Sequence, residues 1–180
     1  RHRGHRRRHG RLAATERPTS FTPQWQRPNG MSTVAEVSER IRIEVPRSEV
    51  FAYMDQPSNQ PEISPSLVRS ELIESLPNGG KRVAYTYEMA GIGLDGEIHA
   101  VEYDPERRIR WEMTGDLAGT ITWTFGAEDG STVVTYASAY EVPIPVLDAV
   151  VAPFVERYNE RELRTTLENL KTRLEHGSPS

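Results

Sequence analysis

The chain's clearest capacity for chemistry is a carboxylate and a histidine two positions apart, Glu97 and His99, in a stretch that alternates like a strand. That spacing puts both on one face of a strand. An imidazole beside a carboxylate could then move a proton in an aldol-type cyclisation or a dehydration. A histidine satisfied within the core, or one on the rim beside Asp95-Gly96, is the plainer reading, so Glu97 and His99 stand as candidates only. Aromatic side chains recur around them at every second position: Tyr85 and Tyr87, Tyr103 in register with His99 and Val101, Trp111, Trp123, then Tyr136 and Tyr140. Tyrosine and tryptophan join a flat apolar body to one polar tip, which suits a planar or lipid-like molecule bearing a few oxygens.

Other chemistries lack their residues. There is no cysteine, which removes disulfides, thiolate metal sites and a cysteine nucleophile. Beyond residue 30 the only histidines are His99 and His176, so no two-histidine helix motif can be assembled, and no Gly-x-Ser-x-Gly elbow occurs. Gly91-Ile92-Gly93-Leu94-Asp95-Gly96 has dinucleotide-loop spacing, but it falls where a hairpin is expected rather than between a strand and a helix. No metal and no cofactor are expected.

Closely spaced turn signals organise the middle of the chain. Pro77 to Gly80, Gly91 to Gly96, Asp104-Pro105-Glu106, Gly115 to Gly119 and Asp129-Gly130 separate six stretches rich in β-branched and aromatic residues. The strands expected are Val68 to Leu76, Arg82 to Ala90, Glu97 to Tyr103, Arg108 to Thr114, Thr120 to Ala127 and Thr132 to Val142, joined as an antiparallel meander. A seventh, Val34 to Val45, precedes a helical stretch over Arg47 to Met54 that is opened by Pro46. Ile109, Trp111, Met113 and Ile121, Trp123, Phe125 alternate with polar residues, so one face of the sheet is covered. The cover is the amphipathic stretch Val146 to His176, with Phe154 and Tyr158 facing inward and Pro153 kinking or splitting it. Sheet and helix then enclose a space lined by Tyr85, Tyr87, His99, Tyr103, Trp111, Trp123, Tyr136, Tyr140, Phe154 and Tyr158, with Val83, Met89, Val101, Phe125 and Ser138 completing the inward positions.

Charge divides the chain. Residues 1–30 hold eight arginines against one acid, Glu16, with no apolar period, and are expected to be a disordered basic extension. That segment reads as an upstream addition or as an arm for nucleic acid or anionic lipid. Residues 31–180 hold 25 acids against two lysines and twelve arginines, which should repel nucleic acid and suggests adaptation to high salt. Residues 177–180 are expected to be a disordered tail. No stretch approaches the roughly 18 apolar residues of a spanning helix, so a cytoplasmic protein is expected, with peripheral membrane contact left open.

The element order has a precedent in sequence. IRIEVPRSEVFAYMDQPSNQPEISP (Ile41 to Pro65), VEYDPERRIRWEM (Val101 to Met113) and RELRTTLENLKTRLE (Arg161 to Glu175) resemble the START-related polyketide cyclase and lipid-transfer superfamily, SRPBCC. The resemblance spans about 145 residues, with Ile63 where a tryptophan is common. It implies an α+β helix-grip fold over residues 31–176: a seven-stranded antiparallel sheet curled around a long C-terminal helix, with two short helices after strand 1. It also implies a cavity for a lipid, isoprenoid quinone or polyketide-like molecule. Two other functions share that fold. One is a cyclase or dehydratase in which His99 and a tyrosine polarise a ketone. The other is a protein-interaction module of the quinone-chaperone or ribosome-associated kind.

Overall fold

The computed structural model describes residues 34–142 and 152–177, so the basic extension, the stretch before Ala152 and residues 178–180 lie outside the described residues. Seven strands form one sheet: β1 (Val34–Ile43), β2 (Leu67–Ser75), β3 (Lys81–Met89), β4 (Ile92–Asp104), β5 (Arg108–Gly115), β6 (Ala118–Glu128) and β7 (Ser131–Glu141). Their order is β1-β7-β6-β5-β4-β3-β2, every pair antiparallel. Helix α1 (Arg47–Met54), a single 3-10 turn (Pro57–Asn59) and α2 (Gln60–Ile63) follow β1, and α3 (Ala152–His176) closes the chain, with Pro153 in its first turn. This is the helix-grip α+β architecture expected from the sequence.

Turn chemistry sets the register. Asp129 and Gly130, at φ 49° and 80°, form a two-residue turn with both φ values positive, which matches the twist of the strands it joins and pairs Glu128 with Ser131. Ala90 and Gly91, at φ 52° and 77°, do the same between β3 and β4. The expected turn over Gly91 to Gly96 therefore shrinks to these two residues, and β4 begins at Ile92 and runs on through Gly93, Asp95 and Gly96. Gly96 needs its missing side chain for close approach, since a Cβ there would sit 2.2 Å from the Thr114 carbonyl oxygen and 2.6 Å from the Tyr85 hydroxyl.

The inner face of β5 follows simple alternation, with Ile109, Trp111 and Met113 buried between exposed neighbours. Helix α3 buries Val155, Asn159, Leu163, Leu167 and Leu170, mostly four residues apart. Its polar side chains grip both edges of the sheet. Towards β1, Lys171 donates to the Arg42 carbonyl at 2.7 Å, Glu175 accepts from the Glu44 N–H at 2.7 Å, and Arg164 pairs with Glu39 at 3.2 Å. Towards α2 and β2, Asn169 donates to the Ile63 carbonyl at 2.9 Å and Glu162 accepts from the Ser66 N–H at 2.8 Å. The helix is thus tied on one side to edge strand β1 and on the other to α2 and to Ser66, which leads into the opposite edge strand β2.

Candidate functional site: a divided core around a cavity

The buried apolar residues fall into two clusters. One gathers Phe51, Met54, Ile63, Trp111, Trp123, Phe125 and Leu170 about α1 and the C-terminal half of α3. The other gathers Tyr85, Met89, Leu94, Met113, Leu117 and Tyr140 about Val155 of α3. A cavity of about 110 Å³ is walled by members of both, Trp111 and Trp123 from the first and Tyr85, Met113 and Tyr140 from the second. Leu117, buried in the two-residue turn between β5 and β6, also lines it, as do Met54, Asp55 and Gln60. Trp123 lies opposite Tyr136 across β6 and β7, and their rings stack at 4.0 Å with 16° between planes. That gives the cavity a flat aromatic surface.

Six of the residues singled out by sequence line this space: Tyr85, Tyr87, Trp111, Trp123, Tyr136 and Tyr140. Ser138 joins them from the same face of β7. Four do not. Tyr103 points inward but packs on Phe51, ring centroids 5.8 Å apart, beside the Asp55–Lys81 ion pair of 2.7 Å. Burial and the neighbouring Asp55 carboxylate push its hydroxyl up to about 12. Tyr158 is partly buried with its hydroxyl against Ser66 and the Glu88 carbonyl, and Phe154 is 52% exposed. The stripe that faces inward on α3 runs one residue later than Phe154 and Tyr158, through Val155 and Asn159.

His99 and Glu97 lie on the outer face of the sheet, not in the cavity. Ala100 pairs with Trp111 and is buried, whereas the next pairing in register joins Glu102 to Arg110. Val101 is therefore the extra residue of a β-bulge, which resets the alternation. Tyr103 does face inward, but counting back from it in twos crosses the bulge and assigns His99 and Val101 to the wrong side. Val101 is 44% exposed. His99 stands 3.7 Å from Glu112 on the outer surface, and Glu97 is paired with Arg82 at 2.7 Å.

Sequence reasoning missed Asn159, which is 1% exposed in the middle of α3. Its signal was a polar residue four positions from both Val155 and Leu163 on the buried stripe. The Tyr140 hydroxyl donates to Asn159 Oδ1, while Asn159 Nδ2 has no partner among the described residues. Turning the amide over would leave Oδ1 and the Tyr140 hydroxyl proton both without partners, so the orientation in which Oδ1 accepts from Tyr140 is the better satisfied one. The hydroxyls of Ser138 and Tyr85, 5% and 4% exposed, also lack partners among the described residues. The Leu117 amide lies near the Tyr85 hydroxyl and favours its ionised form slightly, but not in hydrogen-bonding geometry; burial dominates and pushes the Tyr85 hydroxyl up to about 12. Burial raises Tyr87, Tyr136 and Tyr140 further, helped by the Glu162 carboxylate. All four are neutral hydroxyls near neutral pH, able to donate or accept hydrogen bonds but not to act as bases. Among the described residues, no group of histidines and carboxylates is arranged to hold a metal ion.

Comparison with known proteins agrees with this fold. A similar fold occurs in a protein from Thermus thermophilus (20% identity, TM-score 0.68, covering 77% of this chain and 96% of that one). It also occurs in a START superfamily protein from Mycobacterium smegmatis (15%, 0.66, 78% and 97%) and in the Zhui aromatase/cyclase of a Streptomyces species (15%, 0.61, 78% and 96%). At these identities the likeness is one of fold. No curated protein matches. Residues 34–175 match the family described as polyketide cyclase / dehydrase and lipid transport. The chain belongs to that family.

Proposed function

We propose that this protein binds a hydrophobic small molecule, a lipid, isoprenoid quinone or polyketide-like compound, in the cavity between the sheet and α3. The observation that carries this reading is the division of the apolar core around an aromatic-lined space containing unpartnered polar atoms. Interiors are ordinarily packed to crystal-like density with their polar groups satisfied. A chain that leaves both conditions unmet at one place has an interior suited to a ligand.

Binding fits better than catalysis. The titratable groups of the lining are Asp55, committed to Lys81, and the four tyrosines held neutral by burial. With His99 and Glu97 on the outer face, the proton-moving pair suggested by sequence does not meet a ligand in this space. A cytoplasmic setting belongs to the same proposal; no helix among the described residues is long and apolar enough to cross a membrane.

Organic-solvent extraction of the purified full-length chain, followed by mass spectrometry, tests the proposal. The expected result is a single apolar compound at near-stoichiometric yield. Absence of any extractable compound, together with failure of the extracted protein to bind an apolar fluorophore, would overturn it, and turnover of a poly-ketone would replace it with the cyclase reading.

A further inference from the structure

The cavity's polar atoms carry more than its size does. Asn159 and Ser138 each present a buried hydrogen-bonding group without a partner among the described residues, and both line the same space. Ser138 and Tyr140 are two apart on β7 and share its inner face, and Tyr140 spans from there to α3, where its hydroxyl holds the Asn159 amide by Oδ1. That hydrogen bond fixes which end of the amide is free: Nδ2, a donor. The amide donor and the Ser138 hydroxyl thus both belong to the wall of this space. Among the described residues that line the cavity there is no lysine, arginine or histidine, and the one carboxylate, Asp55, is paired with Lys81. Glu162, close enough to raise four tyrosine hydroxyls, adds negative potential at the same side.

We infer that this site selects a neutral apolar molecule carrying a carbonyl-type acceptor, such as a ketone or quinone, bound through Asn159 Nδ2 and the Ser138 hydroxyl, and rejects carboxylates. This inference rests on the ligand-binding reading above and narrows its chemical class. A hydrocarbon would fill the cavity but leave both donors unpaired, and a buried donor without an acceptor is costly. A fatty acid or other anion would bring a charge into an apolar space that offers no cation and lies near a carboxylate. A carbonyl oxygen has two lone pairs for two donors and no charge to desolvate.

Three small probes of matched shape test this on the full-length chain stripped of ligand: acetophenone, isopropylbenzene and benzoate, each titrated calorimetrically. The ratio of ketone to hydrocarbon affinity is compared between wild type and variants, so that differences in probe hydration cancel. Asn159→Leu should shift the ratio against acetophenone by about tenfold or more, the loss of one well-placed hydrogen bond. Ser138→Ala, a smaller change that keeps the inference testable if Asn159→Leu fails to fold, should shift it the same way by about threefold or more. Benzoate should bind wild type at least about tenfold more weakly than acetophenone. An unchanged ratio in whichever variants fold, or benzoate binding as tightly as the ketone, overturns the inference while isopropylbenzene binding upholds the cavity reading. Failure of all three probes to bind wild type removes both.

Discussion

Replacing Tyr140 and Asn159 together is expected to stabilise the ligand-free protein, although each lies in its interior. Tyr140→Phe alone leaves an amide that is 1% exposed with no partner at either end, at an expected cost of about 1–3 kcal/mol. Asn159→Leu alone removes the orphaned Nδ2 but strands the Tyr140 hydroxyl, and the two effects offset to within about 1 kcal/mol. The double replacement removes the pair and the orphan together and places apolar atoms in apolar surroundings. It should gain about 1–2 kcal/mol over wild type, or about 2–8 °C in Tm for a chain of this size. Urea unfolding of solvent-extracted protein, with the m-value shown to be constant, gives the four stabilities and the coupling between the sites. A double variant less stable than wild type by more than about 1 kcal/mol would refute the reasoning, because the polar pair would then belong to the packing of the fold and not to its ligand.

Gly96→Ala should destabilise more than any replacement of an exposed residue, by about 3 kcal/mol or more, since the added carbon meets the Thr114 backbone at 2.2 Å as well as Tyr85; a change under about 1 kcal/mol in chemical denaturation would contradict the close approach. Raising the pH should destabilise the protein from about pH 10 upward. There the unfolded tyrosines ionise while Tyr85, held up to about 12, and the higher Tyr136 and Tyr140 stay protonated in the fold, so the folded state binds more protons. Tyrosinate absorbance from these residues should therefore appear only together with loss of the far-ultraviolet dichroism, and ionisation ahead of unfolding would show the hydroxyls to be solvated. The Tm should rise between low and molar KCl, because residues 31–180 hold 25 acids against 14 lysines and arginines and screening relieves their repulsion; a flat or falling Tm removes the high-salt reading.

The fold was legible wherever periodicity ran unbroken. On β5 every second residue from Ile109 to Met113 is buried, as alternation requires, and the turn at Asp129-Gly130 lies where its residue types place it. The tyrosines and tryptophans of β3, β5, β6 and β7 reached the cavity wall for the same reason. Legibility failed where one residue changed the phase. The bulge at Val101 leaves no mark in composition, since it is defined by pairing with β5 and not by its own type, and it moved His99 to the other face. On α3 the large aromatics Phe154 and Tyr158 suggested an inward stripe that in fact runs through Val155, Asn159 and Leu163. Size and apolarity misled there, because a half-exposed phenylalanine costs little whereas a buried asparagine needs a reason.

That reason connects stability to function. Apolar wall left without packing around a space of about 110 Å³ lowers stability, and each buried polar atom without a partner costs about 1–3 kcal/mol more. Part of that cost is recoverable by ordinary substitutions, such as Asn159→Leu made together with Tyr140→Phe. The helix does not close the gap by settling deeper, because its hydrogen bonds to the Arg42 carbonyl of β1 and the Ile63 carbonyl of α2 anchor it on two sides. Cavity and grip are thus one feature: the contacts that clamp α3 across the sheet also hold the wall residues apart. A molecule that fills the space and satisfies the donors recovers both costs at once, so ligand binding and resistance to unfolding should rise together.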